Sequence, residues 1–238
     1  MGSMNRDNLK NKLIKYNIEF TEESINKLVE FNNQMLEYNS KHNLTSITEE
    51  SAVILKHFVD SLLPYREFTE NTKIIDIGCG GGFPSVPLSI INNKLNILAV
   101  DSTKKKTDFV EIVKNSLNIG NLSVKNSRIE DMANNSSYRE TFDTVISRAV
   151  APLNTIIEYS APLLKNGGKI IAYKGSNYEE ELKLARNALK ILNCRVLDIK
   201  KYYIEEIESS RVAIIIEKID KCPKNYPRGQ NKPRLSPL

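Results

Sequence analysis

The 238-residue chain carries a formal net charge of +5, with 40% hydrophobic and 26% charged residues, and is long enough for one α/β domain with an appendage. No apolar run approaches the roughly 20 residues of a membrane helix, and three separated cysteines without Cys-x-x-Cys spacing argue against a disulfide framework and against structural zinc. We therefore expect a cytoplasmic protein without a membrane segment or a metal site. The modest positive charge is compatible with nucleic acid but does not establish it.

The chain up to about Tyr65 has a helical pattern, after three residues, Met1–Ser3, that read as an expression scar. Thr21 is a candidate N-cap, and the two glutamates after it suit the positive end of a helix dipole. A second helix is expected to start at Thr48 and to carry the letters SAVILKHFVDSLLPY.

Three residues of this second helix, His57, Asp60 and Ser61, have the types found in a hydrolytic triad. Their spacing along one helix excludes triad geometry. Two interpretations stay open for them: a polar patch beside a cofactor site, or a buried histidine with its hydrogen bonds satisfied.

From Lys73 onward, short apolar runs alternate with helical segments, a pattern that predicts βαβ units and a mostly parallel sheet. After a helix at about Tyr178–Leu192, two adjacent apolar runs joined by a polar turn predict a C-terminal antiparallel hairpin. The final stretch contains four prolines and several basic residues, so an extended surface segment is expected. The predicted strands have the sequences KIIDI, NILAVD, NLSVK, TFDTVIS, GKIIAYK, NCRVLDIKKYYIEE and RVAIIIEKI.

These patterns predict an N-terminal helical extension over residues 4–68, an α/β domain over 69–220 and a basic, proline-rich segment over 221–238.

A glycine-rich turn follows the first predicted strand, in IIDIGCGGGFPSVPLSI (Ile74–Ile90). Ligands of doubly wound sheets lie outside the carboxyl ends of the strands, where this turn is placed. A dinucleotide fingerprint would need glycine at Phe83, and no Gly-Lys-Ser/Thr follows as in a P-loop. Gly78, Gly80 and Gly82, with Asp101 at the next strand end to bind both ribose hydroxyls, resemble instead the S-adenosylmethionine site of class I methyltransferases.

Further motifs along nearly the whole chain resemble, in order and spacing, the RsmG (GidB) family, bacterial methyltransferases of guanine N7 in the 530 loop of 16S rRNA. The motifs GFP...PL and SRA are more specific than the glycines. The motifs are HNLTSIT, LKHFVDSLLP, DIGCGGGFPSVPLSI, DSTKKKTDFV, NSRIEDM, FDTVISRAVAPLNTI, GGKIIAYKG and the closing YPR with SPL.

The resemblance implies a Rossmann-like class I methyltransferase fold, S-adenosyl-L-methionine as cofactor and 16S rRNA or the 30S subunit as partner. With the glycine turn, the expected cofactor-binding residues are Gly78, Gly80, Gly82, Phe83, Asp101, Ile129, Glu130 and Arg148. The chain departs from the family pattern at Cys79, at Ser85, and in an ending that reads RGQNKPRLSP where RKPGTPNKSP is usual.

Guanine N7 carries a lone pair at neutral pH, so its methylation needs no general base, which agrees with a chain of only two histidines. Basic residues are instead expected to hold phosphates or the O6 edge, because a cation against the ring would oppose its developing positive charge. The candidate catalytic residues are Arg128, Arg148, Lys174 and Arg211.

Other charged groups have two interpretations each. Lys104–Lys106 either contact RNA phosphate or form a solvated helix face, and the basic residues of the ending either track a phosphate backbone or belong to a flexible tail. Glu179–Glu181 are expected to mark a helix N-terminus without chemistry. The tail residues concerned are Lys224, Arg228, Lys232 and Arg234.

Three rival functions stay open: a small-molecule methyltransferase, an RNA-binding assembly module with a vestigial site, and a nicotinamide oxidoreductase, which Phe83 disfavours. Nothing in the sequence requires more than a monomer.

Overall fold

The computed structural model describes residues 4–238, so the predicted scar at residues 1–3 lies outside the described residues. The chain divides into two compact units. The first comprises the described residues up to Asn71 together with Cys79–Asn126, and the second comprises Thr72–Gly78 and Ser127–Leu238.

The first unit contains both helical regions that the N-terminal pattern predicts, together with two strands. These strands pair in parallel, from Ile97 opposite Leu122 to Asp101 opposite Asn126. Its elements are α1 (Arg6–Lys15), α2 (Glu22–His42), α3 (Glu50–Val53), a π-helical segment (Ile54–Val59), α4 (Asp60–Leu62), a 3-10 turn (Tyr65–Glu67), α5 (Ser85–Ile91), β2 (Asn96–Asp101), α6 (Lys104–Ser116) and β3 (Leu122–Asn126).

The predicted start of α2 is confirmed by its capping contacts. The Thr21 hydroxyl accepts a hydrogen bond from the Ser24 backbone N–H at 3.1 Å, and the Ser24 hydroxyl accepts one from the Thr21 N–H at 2.9 Å. This reciprocal arrangement satisfies two backbone donors that the first turn of a helix leaves open.

The second predicted helix differs from expectation in its start and in its middle. The start at Thr48 was wrong, because the Glu49 carboxylate accepts the backbone N–H groups of Ser51 and Ala52, and the helix begins at Glu50. The middle is π-helical over Ile54–Val59, and the Ser61 hydroxyl donates to the His57 carbonyl just beyond it. A π segment and a side-chain hydrogen bond to a helical carbonyl both distort a helix locally. The residue pattern predicts neither feature.

The second unit carries the rest of the strands, with sheet neighbours in the order β1-β4-β5-β7-β6. β1 pairs with β4 and β4 with β5 in parallel, whereas β5–β7 and β7–β6 are antiparallel. Its elements are β1 (Lys73–Ile77), α7 (Ile129–Asn134), β4 (Phe142–Arg148), α8 (Leu153–Ser160), a 3-10 turn (Ala161–Leu163), β5 (Leu164–Lys174), α9 (Tyr178–Leu184), α10 (Arg186–Ile191), β6 (Cys194–Ile204), a 3-10 turn (Glu205–Ile207), β7 (Ser209–Lys218) and α11 (Lys232–Leu235).

The mixed α/β class, the mostly parallel pairing and the C-terminal hairpin are thus confirmed. The division at residues 68 and 220 stays a prediction. No helix within residues 4–238 is both long and apolar enough to cross a bilayer.

One predicted helix of the second unit is in fact two. The segment predicted as one helix at about Tyr178–Leu192 is interrupted at Ala185, where ψ is −2° and the side chain is fully buried. The predicted helix contains no glycine or proline that would indicate this break.

The C-terminal segment lies mostly at the surface, as predicted, but it is not extended throughout and it is anchored to the rest of the unit. Pro227 and Pro233 are buried, and residues 232–235 form the short helix α11. Arg228 donates to the carboxylate of Glu158, a fully buried residue of α8, through its backbone N–H, Nε and Nη2 at 2.9, 2.8 and 2.6 Å. The Thr155 hydroxyl adds a bond of 2.7 Å to the Pro233 carbonyl. The ending is therefore docked on α8.

Replacing Arg228 by alanine should cost about 3–5 kcal/mol of unfolding free energy, because it leaves the Glu158 carboxylate buried without its cation. The matched control is Arg195→Ala, which removes an arginine that is 63% exposed and paired with Glu217 at 2.7 Å. That change should cost under about 1 kcal/mol. Urea unfolding followed by circular dichroism measures both, and equal losses would contradict the docking of the C-terminal segment.

Candidate functional site

In the first unit, the glycine turn has no side chains where its backbone borders open space. Gly80 and Gly82 have φ angles of +56° and +92°, which residues with side chains rarely adopt. A Cβ added at Gly80 or Gly81 would meet no atom within 4 Å, so that stretch borders open space. A Cβ at Gly82 would lie 2.6 Å from the Val86 side chain, because α5 packs closely there.

The Asp101 carboxylate fixes this turn. Asp101 ends β2, is 7% exposed, and accepts the Gly80 backbone N–H at 3.1 Å with one oxygen and the Thr103 N–H at 2.8 Å with the other. A carboxylate has about four acceptor positions, so two remain for further donors such as sugar hydroxyls. The residue that the sequence places on the ribose therefore also holds the glycine turn.

Phe83 lies in a cluster of rings instead of on an open surface. It is 7% exposed, and its ring centroid lies 5.0 Å from Phe31, 5.9 Å from Phe58 and 4.5 Å from His57, whose ring stacks on it. The helices of the N-terminal region thus set the position of Phe83.

His57 is a buried packing residue in this cluster. It is 9% exposed, and its Nε2 lies 3.0 Å from the Thr45 hydroxyl. The Ser61 hydroxyl binds the His57 main-chain carbonyl and not the ring, so the three residue types do not act as a triad. The sequence pattern could not show that His57 supports Phe83, because the contact joins residues that are distant in the sequence.

In the second unit, the segment after β4 packs on the start of the glycine turn. Arg148 ends β4, Ala149 follows with φ +56°, and the Val150 side chain lies 2.7 Å from where a Gly78 Cβ would stand. Gly78, with φ +73°, is therefore required both by its backbone angle and by the approach of Val150.

Lys174 holds the same segment. It ends β5, its side chain is 8% exposed, and its ammonium contacts the Glu181 carboxylate at 2.6 Å and the Ala151 carbonyl at 2.8 Å. Glu181 in turn accepts the Leu153 backbone N–H at 2.8 Å. The glutamate to which the sequence assigned no chemistry is thus the partner of a candidate catalytic lysine.

Three of the four candidate catalytic residues come together at adjoining strand ends. Arg148 on β4 is opposite Tyr173 on β5, and Lys174 is opposite Val212 on β7, one residue from Arg211. Arg211 also donates to the Ser209 hydroxyl and, at 3.0 Å, to the Ser210 carbonyl. The strand pattern makes this placement predictable, since the parallel strands β4 and β5 end at one edge of the sheet and the antiparallel strand β7 begins there.

The fourth candidate, Arg128, is exposed and precedes α7, whose first residues are Ile129 and Glu130. The Tyr159 hydroxyl donates to the Glu130 carboxylate at 3.3 Å. Burial, and then the Glu130 charge, raise the pKa of the Tyr159 phenol, so it keeps its proton at neutral pH. Tyr159 was missed because it looks like an ordinary apolar-face residue of α8.

The three lysines after Asp101 are engaged in contacts, and the thiol of the glycine turn is buried. Lys104 pairs with Asp108 at 2.9 Å, Lys105 donates to the His42 carbonyl at 3.0 Å, and Lys106 lies 3.8 Å from Asp101. Cys79 in the turn is a buried free thiol. Among the described residues 4–238, no group of three His, Cys, Asp or Glu side chains is arranged to hold a metal.

Comparisons with known proteins agree with this geometry. The model of the family described as GidB, rRNA small subunit methyltransferase G, matches residues 24–210. The chain belongs to this family. A ribosomal RNA small subunit methyltransferase G from Thermoanaerobacter sp. (strain X514) is 44% identical over 86% of this chain and 86% of its own length. One of the same description from Desulfitobacterium hafniense (strain Y51) is 41% identical over 93% and 92%.

Among solved structures, a variant of the 16S rRNA (adenine(1408)-N(1))-methyltransferase from Catenulisporales acidiphilia superposes with a TM-score of 0.53. At 13% identity over 65% of this chain and 88% of that chain, it shows the shared fold alone. The class I methyltransferase fold predicted from the sequence is thereby confirmed.

Asn231, in the part of the C-terminal segment that departs from the family pattern, has a φ of +57°. Asparagine is the residue other than glycine that most readily accepts this left-handed conformation. Asn231 therefore suits the turn that leads into α11.

Replacing Gly82 by alanine should lower the unfolding free energy by about 2–4 kcal/mol, from an unfavourable positive φ and a clash with Val86. Gly120→Ala is the control, because a Cβ there meets nothing within 4 Å and its φ is not positive. Denaturant midpoints of the two variants test this difference, and a Gly82 variant as stable as the control would show that the turn is not so constrained.

Proposed function

We propose that this chain transfers the methyl group of S-adenosylmethionine to N7 of a guanine in the 530 loop of 16S rRNA. Membership of the rRNA small subunit methyltransferase G family supports the reaction class, the cofactor and the rRNA substrate. The choice of N7 and of the loop rests on the motifs shared with the RsmG pattern. The observation that carries the proposal is the bare glycine backbone beside the buried Asp101 carboxylate.

This arrangement fits the cofactor. Open space over Gly80 and Gly81 admits a ligand close to the backbone, and the spare acceptor positions of Asp101 suit two ribose hydroxyls. When bound, S-adenosylmethionine supplies a methyl group on a positively charged sulfur. The proposed cofactor residues are Gly80, Gly82, Phe83 and Asp101 in the first unit, and Gly78, Ile129, Glu130 and Arg148 in the second.

The chain's own residues have to align guanine N7 and keep water from it, since the N7 lone pair needs no base. We assign Arg128, Arg148 and Arg211 to holding phosphates or the O6 edge of the guanine. The Lys174 charge is balanced by Glu181 at 2.6 Å, so this lysine does not oppose positive charge that develops on the ring. Its role in this proposal is to hold the segment after Arg148.

For the substrate we propose 16S rRNA, alone or within the 30S subunit or its precursor, bound in the cytoplasm by a monomer. Binding should weaken steeply as salt rises, because phosphate contacts release counterions.

The decisive assay is transfer from labelled S-adenosylmethionine to 30S subunits and to deproteinised 16S rRNA from cells that lack the modification. Strand scission at 7-methylguanine should reveal a single product in the 530 loop, and the better substrate shows when in assembly the enzyme acts. If the cofactor binds but neither RNA is labelled, the rRNA assignment fails and a small-molecule substrate becomes the better proposal.

Replacing Asp101 by asparagine should weaken S-adenosylmethionine binding at least about tenfold. The amide replaces one acceptor oxygen with a donor that faces either a backbone N–H or a ribose hydroxyl. Asp108→Asn is the matched control, since Asp108 is 49% exposed on α6 and pairs with Lys104. Isothermal titration without RNA measures both, and equal affinities in the two variants would remove Asp101 from the cofactor site.

A further inference from the structure

The C-terminal segment sends one side chain, Arg234 of α11, toward the residues proposed to hold the cofactor. Arg234 Nη2 donates to the Val150 carbonyl at 3.2 Å. The same guanidinium acts on the phenol of Tyr159 on α8, whose pKa it lowers against the effect of burial. An arginine has five N–H donors in a rigid fork, so it can hold two such acceptors at once.

Both acceptors lead to proposed cofactor residues. Val150 is two residues after Arg148, and its side chain packs over Gly78. Tyr159 gives its only proton to the Glu130 carboxylate at 3.3 Å, so toward the Arg234 guanidinium its oxygen can act only as an acceptor. The Arg234 charge, the Tyr159 phenol and the Glu130 carboxylate therefore form one polar series in the second unit.

Arg234 is held in place for this contact. The residue before it, Pro233, is buried, and its carbonyl accepts the Thr155 hydroxyl at 2.7 Å. The Arg228–Glu158 pair anchors the same segment on α8. The segment that Arg234 reaches is also held from β5, where Lys174 binds the Ala151 carbonyl at 2.8 Å.

We propose that Arg234 is a positioning residue for S-adenosylmethionine, setting the Glu130 carboxylate through Tyr159 and the segment after Arg148 through the Val150 carbonyl. The inference rests on the proposed function in one respect, that S-adenosylmethionine is the cofactor held by these residues. It assigns to this arginine a role in the cofactor site in place of a phosphate contact.

The chain offers a matched control in the same helical turn. Lys232 is exposed and carries the same charge, and within residues 4–238 its ammonium has no hydrogen bond or ion pair. Arg234→Ala and Lys232→Ala therefore remove equal charge from the ending, but only the first removes contacts to Val150 and Tyr159.

The experiment is isothermal titration of S-adenosylmethionine, without RNA, into the full-length chain and into Arg234→Ala, Arg234→Lys, Lys232→Ala and Tyr159→Phe. Arg234→Ala should raise Kd about threefold to tenfold, the range expected from losing one or two hydrogen bonds. Arg234→Lys should recover part of the loss, Lys232→Ala should stay within about twofold of the unaltered chain, and Tyr159→Phe should weaken binding in the same direction. A 16S rRNA fragment should bind Arg234→Ala and Lys232→Ala equally.

Unchanged cofactor affinity in Arg234→Ala overturns the proposal, and so does an equal loss in Lys232→Ala, which would mark an effect of charge alone. Where Arg234→Ala does not fold, Tyr159→Phe decides, because it removes only one hydroxyl: unchanged affinity overturns the proposal and weakened affinity supports it. An unaltered chain that binds S-adenosylmethionine yet labels no guanine defeats the rRNA proposal and leaves this inference standing.

Discussion

The left-handed backbone of the glycine turn is the constraint on which the site depends. Gly80 and Gly82 adopt angles that side chains disfavour, and the Asp101 carboxylate holds the turn by accepting the Gly80 N–H. Close packing against Val86 and the hydrogen bonds to the Asp101 carboxylate offset the free-energy cost of that conformation. What remains is a stretch of backbone without side chains beside a carboxylate, which suits a ligand rich in hydroxyl groups.

In each unit, packed side chains support the residues proposed for the cofactor. In the first unit, a cluster of rings from α2 and the π-helical segment sets Phe83. In the second, the half-buried Lys174–Glu181 pair and the docked C-terminal segment hold the residues that follow Arg148. Breaking an ion pair that is largely shielded from water costs more than losing an exposed one, so the loss of these supports would be costly. Precise positioning is what the proposed N7 methylation, which needs no acid or base, would require of its enzyme.

The sequence predicted those parts of the structure that depend on local letters. The strands, the Thr21 cap, the glycine turn and Asp101 at a strand end follow from periodicity and turn chemistry, because each is decided within a few residues. The motifs identified the family because they occur along nearly the whole chain in the order and spacing of that family.

What the sequence did not predict depends on contacts between distant residues. Glu158 and Arg228 are 70 residues apart, and neither residue type indicates that Glu158 is fully buried against Arg228. Tyr159 reads as an apolar-face residue until Glu130 and Arg234 are placed beside it. The helix break at Ala185 likewise occurs without a glycine or proline in the predicted helix. Tertiary packing overrides local propensity at these positions.

The docking of the C-terminal segment on α8 also affects how the protein folds during its synthesis. Arg228 follows Glu158 by 70 residues, so α8 leaves the ribosome well before the arginine that neutralises it. Glu158 has to keep its charge in water until then, so α8 can be fully buried only after Arg228 has been synthesised. A chain truncated before Arg228 would keep every glycine of the turn and still lack the cation that Glu158 requires, which would make it a substrate for proteases.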